Sequence, residues 1–358
     1  MTSFGESHGS AMGVVVDGCP AGVPFDPNLL DLQLRRRRPG ASAWVSARNE
    51  SDQVRILSGV YEGKTLGTPL AMITENTDMR EQDYAQLPSR PGHADDVWGD
   101  KFLHRDPRGG GRASGRETVS RVMAGAVAEM FVRHTLGGGL SRDPVEGLVG
   151  FGGEDLGGGR EGGLQVSGYV SQVGPIVLTG KEREQARGLS REQIDGFVGR
   201  LPSPERGAEL ENLLLAAKKT GESYGGALEL VLRGVPRGLG EPIFHKLKAD
   251  LATAMLSVGA CVGFEFGAGF AAAGECGRAF HDPGPAEAQG VYGGIRGGIS
   301  TGEPIFLRLA FKPTSSLGLV AQQGRHDPCI VPRAVPVCEA MAWLVLADHL
   351  LAQRLAHS

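Results

Sequence analysis

Val14-Val15-Val16 is an unbroken apolar run closed by Asp17-Gly18-Cys19-Pro20-Ala21-Gly22, an order that predicts a buried strand and its turn. Past Asp26-Pro27 the period changes: Leu29, Leu30, Leu32 and Leu34 predict a helix. The same grammar returns later, with Leu228 to Leu232, the turn Arg233 to Gly238, and a helix through Ile243, Leu247, Leu251 and Met255. This echo predicts two structurally related halves. Between them Val119, Val122, Met123, Ala126, Val127 and Met130 predict a helix from Glu117 to about Thr135, stopped by Gly137-Gly138-Gly139. Ser203-Pro204 opens another, ending near Gly221, and the last is predicted from Val337 to Leu355. Strand-like runs at Gln165 to Val170 and Ile305 to Phe311 complete an α/β pattern. No proline- or serine-rich linker divides the chain, so residues 1–358 read as one domain, with the tract from Gly147 to Gly163 as a surface loop.

Composition narrows the functional classes. Hydrophobic residues at 41% and charged residues at 22% are globular values. The net charge of -4 supplies no global field for nucleic acid or an anionic membrane, so any anion site is local. The longest apolar stretch, Met341 to Leu351, contains Asp348 and His349 and is shorter than the roughly 20 residues that cross a bilayer. No signal-like segment opens the chain, and the five cysteines form neither an even set nor a CxxC pair. A cytoplasmic protein without disulfides is the expectation. The 56 glycines, about twice the usual 7%, imply many turns and close backbone approaches.

Four segments have compositions that packing does not require. Two hold a histidine in a glycine-bounded turn: Ser3-Phe4-Gly5-Glu6-Ser7-His8-Gly9 and Arg90-Pro91-Gly92-His93-Ala94-Asp95. The third, Arg105 to Thr118, is basic and glycine-rich and runs straight into a helix. Free amides at a helix start, hydroxyls and the guanidinium groups of Arg105, Arg108, Arg112 and Arg116 suit phosphate or carboxylate. It matches neither GxxxxGK[ST] nor a Rossmann GxGxxG. The fourth pairs Lys312-Pro313-Thr314-Ser315-Ser316 with Gly324-Arg325-His326-Asp327-Pro328-Cys329. The run Arg35 to Arg38 closes the first helix, where a solvated cationic end is the ordinary reading. His134, His245, His281, His349 and His357 have unremarkable neighbours, and His104 and His326 remain ambiguous.

Taken in order, FGESHG, RRRRPG, the Ser58-Gly59-Val60 turn, Glu75-Asn76-Thr77-Asp78, RPGHAD, RGGGR with RET, Gly240-Glu241-Pro242, GGISTG, KPTSS and GRHDPC resemble the chorismate synthase family over nearly the whole chain. The resemblance implies a lyase that removes phosphate from 5-enolpyruvylshikimate 3-phosphate by trans-1,4-elimination with reduced FMN. It also implies a β-α-β sandwich with an internal pseudo-twofold repeat, assembled as a homotetramer. Carried over, His8 is a proton donor near the leaving phosphate, His93 stabilises the charge on the reduced flavin, and Asp327 is a proton relay. The flavin residues are Arg112, Ala113, Ser114, Gly259, Ala260, Gly297, Lys312 through Ser316, and Arg325. Arg37, Arg48 and Arg116 face the substrate's anions. With no reductase domain evident, reduced FMN is expected from a separate flavin reductase rather than from NADPH bound here.

The chain departs from the family pattern at Ala43, where an arginine is usual, at Val262, where a lysine is usual, in the short lead before Phe4, and in the short segment between Ser316 and Arg325. Two rival readings follow. One is a metal-assisted phosphatase using His8, His93 and Asp327; the other is a flavin-binding homologue without turnover.

Overall fold

Asp26 starts the first helix by accepting hydrogen bonds from the amides of Asn28 and Leu29, and Pro27 occupies the first helical position, where its missing N–H costs nothing. That helix belongs to the first of two similar halves. The structure, a computed structural model, describes residues 1–38, 44, 50–78, 90, 92–104, 106, 108–137, 163–281, 290–318, 321 and 327–356. The first half runs β1 (Thr2–Phe4), β2 (Ala11–Val16), α1 (Pro27–Arg37), β3 (Val54–Ser58), the hairpin β4 (Val60–Tyr61) and β5 (Lys64–Thr65), β6 (Leu70–Glu75), α2 (Asp95–Phe102) and α3 (Thr118–Leu136). The second runs β7 (Gln165–Val173), β8 (Ile176–Val177), α4 (Gly180–Arg187), α5 (Arg191–Asp195), α6 (Pro204–Thr220), β9 (Gly226–Arg233) and α7 (Leu247–Leu256). It continues with β10 (Cys261–Phe266), α8 (Gly277–His281), the hairpin β11 (Ile295–Arg296) and β12 (Ile299–Ser300), β13 (Ile305–Phe311) and α9 (Val331–Ala356).

Sheet order makes the repeat explicit. The first sheet is ordered β1-β2-β6-β3 and the second β7-β9-β13-β10, with β8 added outside β7, and every pairing is antiparallel. In each half the second strand leads to a short helix, α1 or α7, and the last strand precedes a long one, α3 or α9. The long helices pack on each other between the sheets, α3 against β2 and α9 against β7 and β9. The layers are therefore sheet, helices, sheet. A helix in the middle must be apolar nearly all round, and α3 buries every residue from Val122 to Val132. Its closest crossing with α9 needs a glycine, since a β-carbon on Gly125 would stand 2.4 Å from that of Ala340.

Two helix boundaries differ from expectation. The last helix begins at Val331, six residues before Val337, although Pro336 lies inside it. Proline removes the donor that the carbonyl of Pro332 would use. Arg200 Nη1 donates to that carbonyl instead at 2.6 Å, so the helix continues. Its Val331–Arg354 stretch is long and apolar enough to cross a membrane, longer than the Met341 to Leu351 run suggested, but 83% of its most apolar window is buried inside the protein. In the second half the helix starts at Leu247; Ile243 is exposed in the preceding turn, where His245 takes a left-handed conformation. All five cysteines are free thiols. The tract from Gly147 to Gly163 falls outside the described residues except for Gly163 itself.

Candidate functional site

The C-terminal end of α1, the turns before α3, the loop after α7, the segment after β13 and the first turns of α9 surround a cavity of about 630 Å³. Most of the residues singled out from sequence line it. Arg37, His93, the stretch Arg112-Ala113-Ser114 with Arg116, the pair Gly259-Ala260, Lys312 through Ser316, and Asp327 all contribute. Gly297 does not. It sits in the β11–β12 turn, beside Gly298 whose carbonyl accepts from Leu247 N. Arg48 and Arg325 lie outside the described residues, as do Ala43, Arg105 and His326.

His8 is buried directly beneath the cavity wall. A β-carbon on Gly109 would lie 2.2 Å from its Cε1, one on Gly110 would lie 2.7 Å from Cε1 of His93, and one on Gly111 would meet Oε2 of Glu6 at 2.7 Å. All three glycines have positive φ. The RGGGR run is thus a bare backbone packed against both imidazole-bearing turns, which no side chain permits. Among the described residues the lining holds eight basic and four acidic side chains, a local cationic excess in a chain of net charge -4.

The comparisons agree with the geometry. The family model described as chorismate synthase matches residues 1–139 and 160–351. A chorismate synthase of Bdellovibrio bacteriovorus is 54% identical over 356 residues, covering 98% of this chain and 95% of that one. One from Porphyromonas gingivalis is 42% identical, covering 99% and 94%. A crystal structure of chorismate synthase superposes with a TM-score of 0.72 at 31% identity, covering 98% of this chain and 91% of that one. The chain belongs to the chorismate synthase family. Membership makes it a carbon–oxygen lyase of aromatic biosynthesis, and the sheet–helix–sheet architecture is that of the family.

The cavity of this family member rests on ion pairs that the sequence did not disclose. Arg36 and Arg37 are buried rather than forming a solvated helix end; Arg35 reaches out to pair with Asp31 at 2.8 Å, and the half-buried Arg38 reaches Asp52 at 3.4 Å. Arg36 pairs with Glu339 of α9 and with Asp195 of α5, and Glu339 also accepts from Gly168 N at 2.8 Å. Arg37 Nη2 meets Asp52 at 2.7 Å, and Arg116 pairs with the other oxygen of the same carboxylate. Burial, with Arg333 and Arg116 nearby, pulls the Arg37 guanidinium down to about 10, and Asp52 opposes that fall. Asp52 is itself held below its ordinary value: burial pushes it up, but Arg37 and Arg116 outweigh burial. Nε of Arg37 has no hydrogen-bond partner among the described residues.

Each proposed catalytic group has a fixed neighbour. Ser7, fully buried, places its hydroxyl 3.0 Å from His8 Nδ1. Arg90 Nη2 lies 3.2 Å from His93 Nδ1, and because guanidinium only donates, that nitrogen accepts and the proton of a neutral ring sits on Nε2. Asp327 pairs with Arg333, whose Nε donates to the carbonyl of Arg37 at 3.4 Å. Lys312 Nζ donates to Gly92 O at 2.6 Å and reaches Ser315 Oγ at 3.1 Å, tying the His93 turn to the segment after β13. Arg112 turns its guanidinium back to Gly5 O and Ser3 Oγ, at 3.0 and 2.6 Å, so it anchors β1 at the cavity edge. Sequence reasoning missed Asp52, Arg90, Arg121 and Arg333. A single acid near an arginine run was the available signal for Asp52, and the RPGHAD segment was the one for Arg90; Arg121 and Arg333 carried none.

Proposed function

We propose that this cavity eliminates phosphate from 5-enolpyruvylshikimate 3-phosphate to give chorismate, with reduced FMN bound alongside the substrate. The observation that carries the reading is convergence: a turn bearing His93, the glycine backbone over His8, the Asp327 segment and a cationic lining from both halves meet at one cavity. The residues present fit a flavin mononucleotide. β-Carbons on Gly115 and Gly259, both in the lining, would meet no protein atom within 4 Å, so these glycines leave room beside the cavity. Its volume is within the range of about 300–1,000 Å³ typical of cofactor sites, and Lys312, Thr314, Ser315 and Ser316 supply donors for a phosphate.

Reduced FMN, if held by Lys312 through Ser316 and the stretch Arg112-Ala113-Ser114, would supply transient electron density for the elimination. The protein's own groups do the rest. His8, with Nδ1 supported by Ser7, donates a proton to the leaving phosphate from its other nitrogen. Arg37 and Arg116 offset the phosphate's charge, and their fixed positions avoid reorganisation during the reaction. His93, whose Nδ1 faces Arg90, would offer its Nε2–H to negative charge on the cofactor, and Asp327 would relay a proton at its carboxylate while Arg333 holds it in place.

Residues 1–358 are read as one catalytic unit, a reading supported by lining from both halves. The chain works in the cytoplasm as a homotetramer and receives reduced FMN from a separate reductase, with neither nucleic acid nor membrane as a partner. Among the described residues no group of three or more histidine, cysteine, aspartate and glutamate side chains is placed to hold a metal ion.

The test is an anaerobic assay of purified protein with substrate and FMN, with and without dithionite, following phosphate and chorismate together. Both are expected in equal amounts only when the flavin is reduced, and unchanged by a chelator. Phosphate without chorismate would establish the phosphatase, and flavin binding without either product the inactive homologue. NADPH replacing dithionite would remove the need for an outside reductase.

A further inference from the structure

Asn76 follows β6, stands outside the cavity lining but touches it through Arg116, and belongs to the sequence segment Glu75-Asn76-Thr77-Asp78. Its side chain is buried and every polar bond it makes has a defined partner. Nδ2 donates to Glu6 O at 3.0 Å and to Gly9 O at 2.8 Å. Oδ1 accepts from Arg116 Nε at 2.9 Å. The backbone N–H donates to Ser10 O at 3.0 Å. Glu6 and Gly9 are the two ends of the turn that carries Ser7 and His8, a turn closed by Gly9 N donating to Glu6 O at 3.0 Å.

We propose that Asn76 is a positioning residue that sets the spacing between His8 and Arg116, the proton donor and the cation assigned to the same phosphate; the inference rests on that assignment. A carboxamide is the one small side chain with two donors on one atom and an acceptor on the other. All three are used here, the donors on the imidazole-bearing turn and the acceptor on the guanidinium. Asp52 on Nη1 and Glu50, which accepts from Thr77 N and Oγ1 and from Asp78 N, brace the two sides of Asn76. Substitution leaves buried carbonyls facing an empty or repelling partner, and the turn moves. A shift of about 1 Å in a reacting group costs about 10²-fold in rate.

Asn76→Asp keeps shape and the acceptor for Arg116 but removes both donors to the His8 turn. It is expected to lower kcat about 10²-fold with KM for the phosphate ester changed less than about threefold. Asn76→Ala also releases Arg116, so KM is expected to rise as well. In a His8→Ala background, Asn76→Asp is expected to cost less than about threefold further, because its effect passes through His8. Thermal melting and flavin fluorescence titration establish that each variant is folded; if neither folds, Asn76→Gln, which keeps the amide chemistry on a longer arm, goes through the same cycle. Turnover within twofold of the parent for the folded variant, or losses that multiply in the double variant, would overturn the proposal. Near-normal turnover of His8→Ala alone would instead remove the role given to His8, so the two failures are separable.

Discussion

The Gly109 backbone and the His8 imidazole are mutually exclusive with any side chain at 109: a β-carbon there would lie 2.2 Å from both Cε1 and Nδ1 of the ring. Gly109 also takes φ of 60°, which a substituted residue adopts with strain. Gly109→Ala is expected to lower kcat by about 10²-fold or more and to destabilise the fold by about 1–3 kcal/mol. Steady-state kinetics and melting curves measure both, and full activity with an unchanged melting point would contradict the packing described.

In the proposed mechanism Asp327 acts through its carboxylate. Asp327→Asn keeps the size but removes the site that accepts a proton, and a fall of about 10²-fold in kcat is expected with flavin affinity retained. Turnover close to that of the parent would take Asp327 out of the mechanism.

Asp52 is wholly buried between Arg37 and Arg116, with Arg38 Nε at 3.4 Å, and Asp52→Ala leaves these guanidinium groups without their carboxylate, a change that costs about 3–5 kcal/mol. The pH dependence has a defined sign. Because the folded carboxyl titrates below its ordinary value of 3.8, the stabilisation is complete above the unfolded value and is lost as pH falls through the folded one. Asp195, lowered by Arg36 and Arg200 against the opposing effect of burial, acts in the same direction. Melting temperature measured from pH 6 down to pH 3 is expected to drop most steeply below about pH 4. A folded Asp52→Asn variant that keeps the parent's slope would assign the acid sensitivity elsewhere.

Lys312 joins the His93 turn to the donors proposed for the cofactor phosphate. Lys312→Met retains the apolar stem and removes the charge. FMN affinity is expected to weaken about 10-fold or more, at roughly 1.5–3 kcal/mol for charged hydrogen bonds, while melting without flavin changes little. Fluorescence titration that shows undiminished binding would remove Lys312 from the cofactor site.

The strands at 165–173 and 305–311, the Asp26 and Ser203 starts and the repeated halves were legible because local chemistry decides them: alternating or continuous apolar runs, a capping oxygen, a proline in a first turn. Motif order made the cavity legible as a set of segments. What stayed hidden depends on partners distant in sequence. The last helix was expected only from Val337, whereas it begins at Val331 and runs through Pro336, with the donor to Pro332 O supplied by Arg200, 132 positions earlier. The arginine run looked solvated because the acids that bury Arg36 and Arg37 come from Asp52, Asp195 and Glu339. Spacing along the chain reports none of the pairings to Arg200, Asp195 and Glu339, since each is made only when distant segments dock.

Although the two sheets repeat one strand order, the groups proposed to react are not repeated: both imidazoles come from the first copy and the carboxylate proposed as relay from the second. The chain is in effect a fused pair of unlike half-sites on a common scaffold. Damage to one cannot be made good at the matching position of the other, so each half has become indispensable in a different way.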